Sequence, residues 1–237
     1  QVMSQKILSV LLCVICVVPV CFAQDKEVEK NSGHEGVRTR TPAQVMSYRG
    51  APWLERATRD DEEKPYEVIA AMKLKEGDVV ADIGVGTGYY ARKIARVVGE
   101  KGKVYGVDIQ PEMLEMLTEF CARQKIKNIK PVQGEYNDPK LPKASIDWMI
   151  LTDVYHEFSH PEEMLAKMLE ALKPTGKVLL LEYRLDGPTA RHIKVDHRMS
   201  VEQVKSEWLP AGFELLKLEE FLPTQHLFIF GKEKAKK

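Results

Sequence analysis

The sequence predicts an α/β domain with a doubly wound, mostly parallel sheet. Three observations carry that reading. Short apolar runs alternate with amphipathic helical stretches between about residues 65 and 231. The first apolar run, residues 79–83, enters a loop with glycine at positions 84, 86 and 88, and a helix follows at once. The last two strand-like segments, residues 213–218 and 226–230, have no helix between them and predict an antiparallel end to the sheet.

The elements follow in order. Lys6 and the apolar run 7–18, closed by Pro19 and by Cys21-Phe22-Ala23, resemble a secretory signal cleaved before Gln24. The alternative is a membrane anchor, for which the run is short. Residues 24–41 are polar and poor in large apolar side chains, which predicts a flexible linker. Residues 42–64 form an arm in which Tyr48 and Trp53 wall a lid or latch onto the domain surface. The acids at 60–63 precede Lys64-Pro65 and read as a solvated first turn; Val68, Ile69, Met72 and Leu74 supply the buried stripe after it. The domain then runs from 65 to 237. Helices are predicted at 89–98, 111–125, 161–172 and 201–209. Strands are predicted at 79–83, 103–108, around 132, at 145–151 and at 177–182.

In such sheets ligands lie beyond the carboxyl ends of the strands, so Asp82, Asp108, Glu135, Asp153 and Glu182 are expected around one crevice. The glycine turn suits a nucleotide-like ligand. Gly86-x-Gly88-x-x-Ala91 satisfies the pattern of a dinucleotide site. Asp82, however, gives the longer form D-x-G-x-G-x-G, and a carboxylate there suits a cation and repels a pyrophosphate. Asp108 closes the second strand where an acid can accept both hydroxyls of a ribose.

The run Asp82-Ile83-Gly84-Val85-Gly86-Thr87-Gly88 resembles motif I of the class I S-adenosylmethionine-dependent methyltransferases. Leu172-Lys173-Pro174-Thr175-Gly176 followed by Lys177–Glu182 looks like that family's turn and fifth strand, Val132-Gln133-Gly134-Glu135-Tyr136 like the segment bordering the adenine, and residues 145–151 like the fourth strand. The likeness is strongest to the small-molecule, type 11 branch that includes quinone and arsenite methyltransferases. It implies the Rossmann-like seven-stranded fold, S-adenosylmethionine as cofactor, and a small, partly apolar acceptor. The cofactor residues it implies are Asp82, Gly84, Gly86, Gly88, Asp108, Ile109, Glu135, Tyr136 and Asp153. It also places the loop after the fourth strand beside the methyl group, which makes His156, Asp153 and Tyr155 the catalytic candidates, with Glu157 next to them. His156 suits proton uptake because imidazole titrates near neutrality. An exported protein that binds this cofactor or a nucleoside without turnover, and an NAD-linked oxidoreductase, are the two rival readings.

Glu182 faces either the pocket or Arg184. His192, His197 and His226 come from later segments, and Asp153, His156, His197 and His226 could in principle meet around a metal, but none of the histidines shows a tight ligand spacing such as H-x-x-x-H, so no metal is expected. Three of the four cysteines fall within residues 1–23, leaving Cys121 without a disulfide partner. Thirty-five basic residues balance 35 acidic ones, which argues against nonspecific DNA or RNA binding.

Overall fold

The computed structural model describes residues 40–187 and 192–233. The expected signal segment 1–23 and nearly all of the expected linker lie outside the described residues. No described helix is long and apolar enough to cross a membrane.

The arm begins with a 3-10 turn at Tyr48–Gly50 and two short helices, α1 (Ala51–Leu54) and α2 (Arg59–Glu63). Helix α3 (Pro65–Met72) starts on Pro65, whose missing N–H costs nothing in a first turn. Then come β1 (Val79–Ile83), α4 (Tyr89–Val98), β2 (Lys103–Asp108), α5 (Pro111–Gln124), β3 (Ile129–Gln133), β4 (Ile146–Thr152), α6 (Pro161–Ala171), β5 (Leu172–Tyr183), α7 (Val201–Trp208), β6 (Phe213–Glu219) and β7 (Gln225–Lys232).

The sheet has seven strands in the order β3-β2-β1-β4-β5-β7-β6. β1 to β5 are parallel, and β7 is antiparallel to both neighbours. The strand order reverses between β1 and β4, which opens the crevice where ligands of such sheets sit. Pro131 is tolerated because β3 is an edge strand.

Successive side chains of each strand enter opposite layers. Val80, Ile150 and Leu179 meet Val68, Met72 and Ile94 of α3 and α4 on one face. Ala81, Met149 and Leu180 meet Leu165, Met168 and Trp208 of α6 and α7 on the other. Burial on both faces explains the continuous apolar runs of β4 and β5. The segment Leu172-Lys173-Pro174-Thr175-Gly176 is a bulge in β5 rather than a separate turn. Leu172 pairs with Ile146, and pairing resumes at Lys177 with Trp148.

Candidate functional site

A cavity of about 440 Å³ opens at the carboxyl ends of β1, β2, β4 and β5, within the size range of small-molecule sites. Its first wall is the glycine loop. Gly84 and Gly86 have φ of +74° and +52°. A Cβ on Gly84 would lie 2.5 Å from Val154, and one on Gly86 would lie 2.7 Å from Leu54 of the arm. Backbone conformation favours glycine at both positions, and at Gly84 the side chain of Val154 leaves no space for a Cβ.

Asp108 lines the same cavity at the end of β2. Its Oδ2 accepts from the Gly86 N–H at 2.9 Å and its Oδ1 from the Gln110 N–H at 3.0 Å. Burial raises its pKa above the ordinary carboxylate value, against the pull of these amides. Ile109 continues the wall, and Gly134, Glu135 and Tyr136 face it from the loop after β3. The Glu135 carboxylate turns outward and pairs with Lys140 at 3.0 Å, so this residue offers the cavity little beyond its backbone.

Two expected cofactor residues are not on the cavity wall. Asp82 is 3% exposed beneath the loop, where it accepts from the Ala91 N–H. Burial lifts its pKa to about 7. Its carboxylate fastens the loop to the start of α4 instead of facing the cavity. Gly88 caps α4, and Leu117 of α5 fills the space its side chain would take, 2.2 Å from the missing Cβ.

The loop after β4 forms the far wall. Asp153 adopts φ +50° and accepts from Gln225 Nε2 at 2.7 Å, while its buried Oδ1 has no hydrogen-bond partner. Loss of water, with Glu63 and Glu182 nearby, pushes its pKa well above the usual carboxylate range. His156 follows in the 3-10 turn Tyr155–Glu157, buried, with Nδ1 2.6 Å from Glu182 Oε2. Burial pulls its pKa down, but Glu182 overrides this and the net direction is up. Glu157 accepts from the Met46 N–H at 3.0 Å, and burial raises its pKa to about 7.

Tyr155 corrects the expectation that it meets an acceptor. Its ring is fully buried against Phe158 and Trp208, and its hydroxyl donates to Glu207 at 2.6 Å, away from the cavity. The 3-10 turn sends consecutive side chains in different directions, so His156 faces the cavity while Tyr155 faces the core. Glu182 likewise pairs with His156 and not with Arg184, which binds Glu220. His226 is occupied by Asp186 and Glu220 at 3.0 and 2.9 Å, off the cavity wall. His192 and His197 both line the cavity.

The arm contributes more than the sequence indicated. Trp53 lines the cavity with its ring 5.1 Å from that of His192. Tyr48 instead anchors the arm through its backbone N–H, which donates to Gln110 Oε1 at 2.8 Å. Glu63, read as part of a solvated turn, and Arg59, for which the sequence suggested no role, are buried, paired at 2.9 Å and on the cavity wall. Their i,i+4 spacing was the available signal. Nothing in the sequence says that this pair turns inward.

Comparison with known proteins agrees with this geometry. A family model described as a methyltransferase domain matches residues 74–226. The ubiquinone/menaquinone biosynthesis C-methyltransferase UbiE of Francisella tularensis subsp. novicida is 33% identical over 118 residues, covering 49% of this chain and 47% of that protein. The protein of the same name from Ectopseudomonas mendocina is 31% identical over 120 residues, 50% of this chain and 47% of its own length. The chain thus spans about half the length of the curated relatives it matches. A SAM-dependent methyltransferase from Aquifex aeolicus superposes with a TM-score of 0.74 at 25% identity, over 78% of this chain and 98% of that one. An arsenic(III) S-adenosylmethionine methyltransferase from Chlamydomonas reinhardtii, at 22% identity and a TM-score of 0.54, covers 68% of this chain and 66% of its own and shares the fold.

Proposed function

Because the chain belongs to the methyltransferase-domain family, whose model spans residues 74–226, we propose that its cavity transfers a methyl group from S-adenosylmethionine to a small, partly apolar acceptor. S-adenosylmethionine is the cofactor of this family and fold. The residues fit it. Asp108 offers its carboxylate to the ribose hydroxyls. The side-chain-free surface of Gly84 and Gly86 allows close approach of the cofactor's backbone-facing edge. Ile109 and the loop 134–136 flank the adenine. The paired Arg59 and Glu63 suit the zwitterionic amino-acid end, with both charges already desolvated and matched.

Bound there, the cofactor supplies an electrophilic methyl on a sulfonium, and an in-line displacement of this kind needs alignment and exclusion of water above all. The chain's part is to provide both. Trp53 and Leu54 cover the cavity from the arm, and Met46, Val154, Phe158 and Met164 give its acceptor end an apolar lining. His156, its Nδ1 fixed on Glu182, is a polar group on the wall of that end.

The observation that carries the reading is Asp108 standing at the end of β2 on the same cavity wall as Gly86, to whose amide it is bonded. Calorimetric titration of the wild type and of Asp108→Asn with S-adenosylmethionine and with NAD tests it. We expect binding of S-adenosylmethionine by the wild type and a loss of tenfold or more in the variant, because a charge-assisted hydrogen bond contributes about 1.5–3 kcal/mol. Tight NAD binding without S-adenosylmethionine binding overturns the reading.

We also propose that residues 1–23 direct export. A native N-terminus at Gln24 supports this, and a cytoplasmic protein retaining the segment refutes it.

A further inference from the structure

His156, Glu157 and His197 converge on the acceptor end of the cavity, with one potential ligand atom from each lying within 4.8 Å of the others. Both rings are held at the same nitrogen by a carboxylate. His156 Nδ1 lies 2.6 Å from Glu182 Oε2, and His197 Nδ1 lies 2.8 Å from Asp196 Oδ1. In the tautomer that donates from Nδ1 to these carboxylates, Nε2 is the nitrogen each ring has left to ligate. Carboxylates orient histidine ligands in this way around protein-bound metals. Glu157 completes the set. Its Oε1 takes the Met46 amide, its other oxygen is unassigned, and it forms no ion pair with a described Lys or Arg. His156 is 2% exposed while Glu157 and His197 are partly buried, so the cluster is anchored on a buried imidazole and is not a surface group of acids.

We propose that His156, Glu157 and His197 bind one divalent transition-metal ion. Two imidazoles and a carboxylate form the donor set of zinc sites with an open position and of iron(II) sites of the facial type. Bonds of roughly 2.0–2.2 Å to each ligand require only a small closing movement from the present separation, and His197, with a side chain 23% exposed, is the member with room to make it. All three residues line the cavity, so an ion held there is open to what the cavity binds. This inference rests on the proposed methyl transfer only for what meets the ion there, an acceptor oxygen. It also revises the expectation of no metal: of the three ligands only His156 and Glu157 are close in sequence, and their i,i+1 spacing is no helical metal motif.

Cobalt(II) titration of the chelator-stripped full chain tests the site, read by the visible absorption of the bound ion and by competition with zinc. The expected result is one saturable ion per chain, lost in His197→Ala and in Glu157→Gln and retained in His226→Ala, whose ring is engaged elsewhere. Asp196→Asn and Glu182→Gln are expected to weaken binding by about 10–100-fold through loss of ligand orientation. His197 and Glu157 are only partly buried, so these variants keep the fold where His156→Ala could lose it. Absence of stoichiometric cobalt in the wild type, or binding that survives in both His197→Ala and Glu157→Gln, overturns the proposal. S-adenosylmethionine is titrated into the same samples. Cofactor binding without cobalt binding refutes the metal site alone, whereas cobalt binding without cofactor binding supports the site and refutes the methyl-transfer reading.

Discussion

Glu182 Oε2 lies 2.6 Å from His156 Nδ1, and Glu182 Oε1 also accepts from the His156 backbone N–H at 3.2 Å. One buried carboxylate at the end of β5 thereby fixes both the ring and the main chain of the loop that follows β4. Removing one partner of a buried pair typically costs about 3–5 kcal/mol. Glu182→Ala is expected to approach that loss in thermal or denaturant unfolding. Glu182→Gln, whose single amide oxygen can still accept one of the two hydrogens while its NH2 faces the other donor, is expected to lose less than Glu182→Ala. Equal losses in the two variants would mean that the charge, and not the hydrogen bond, holds the loop.

Gly86→Val is expected to abolish S-adenosylmethionine binding while the far-ultraviolet circular dichroism remains that of a folded α/β protein. The position has φ +52°, and the new Cβ would meet Leu54 at 2.7 Å. A β-branched residue in that backbone region costs about 1–3 kcal/mol of local strain, and its methyls occupy the space the cofactor requires. Undiminished calorimetric binding by the variant would displace the cofactor from this loop.

Asp82 makes stability depend on pH. Burial raises its pKa from 3.8 to about 7 in the folded state. The folded protein therefore holds this proton more tightly than the unfolded chain does. The resulting contribution is complete below about pH 4 and disappears as pH rises through about 7. A shift of this size corresponds to no more than about 4 kcal/mol. Asp82→Asn cannot titrate, and its amide oxygen still accepts from Ala91. Melting temperatures between pH 4 and 8 should fall with pH more steeply for the wild type than for the variant, with the variant ahead at pH 8. Parallel curves would refute the assignment.

Tyr155→Phe is expected to lower stability by about 1–2 kcal/mol and to leave S-adenosylmethionine affinity unchanged. It deletes a hydroxyl bonded to Glu207, a charged acceptor. Glu207 keeps Arg40 at 2.9 Å and Gln203 at 2.6 Å, which limits the loss. Denaturant unfolding and calorimetric titration check the two halves. A large loss of cofactor binding with unchanged stability would return Tyr155 to the site.

The sequence by itself determined the alternation of strands and helices, the antiparallel end of the sheet, the glycine loop and the acid at the end of β2. These depend on short-range facts: the period of apolar residues, the conformations open only to glycine, and a strand end placed a fixed distance after a turn. Helix α4 was legible to the residue because Gly88 and Gly99 bound it. The tertiary structure alone decided which way polar side chains point once the chain leaves a regular element. Asp82 and Asp108 close neighbouring strands, yet the first ties the loop to α4 and the second lines the cavity. Tyr155 and His156 are adjacent, yet one enters the core and the other the site. Glu63 looked like a solvated charge, but the arm folds over the crevice and its pairing with Arg59 makes burial tolerable. The meeting of His156 and Glu157 with His197 joins segments some 40 residues apart, on the order of a dozen helical turns of chain. No local pattern encodes it, because the placement of His197 against the loop after β4 is fixed only by packing.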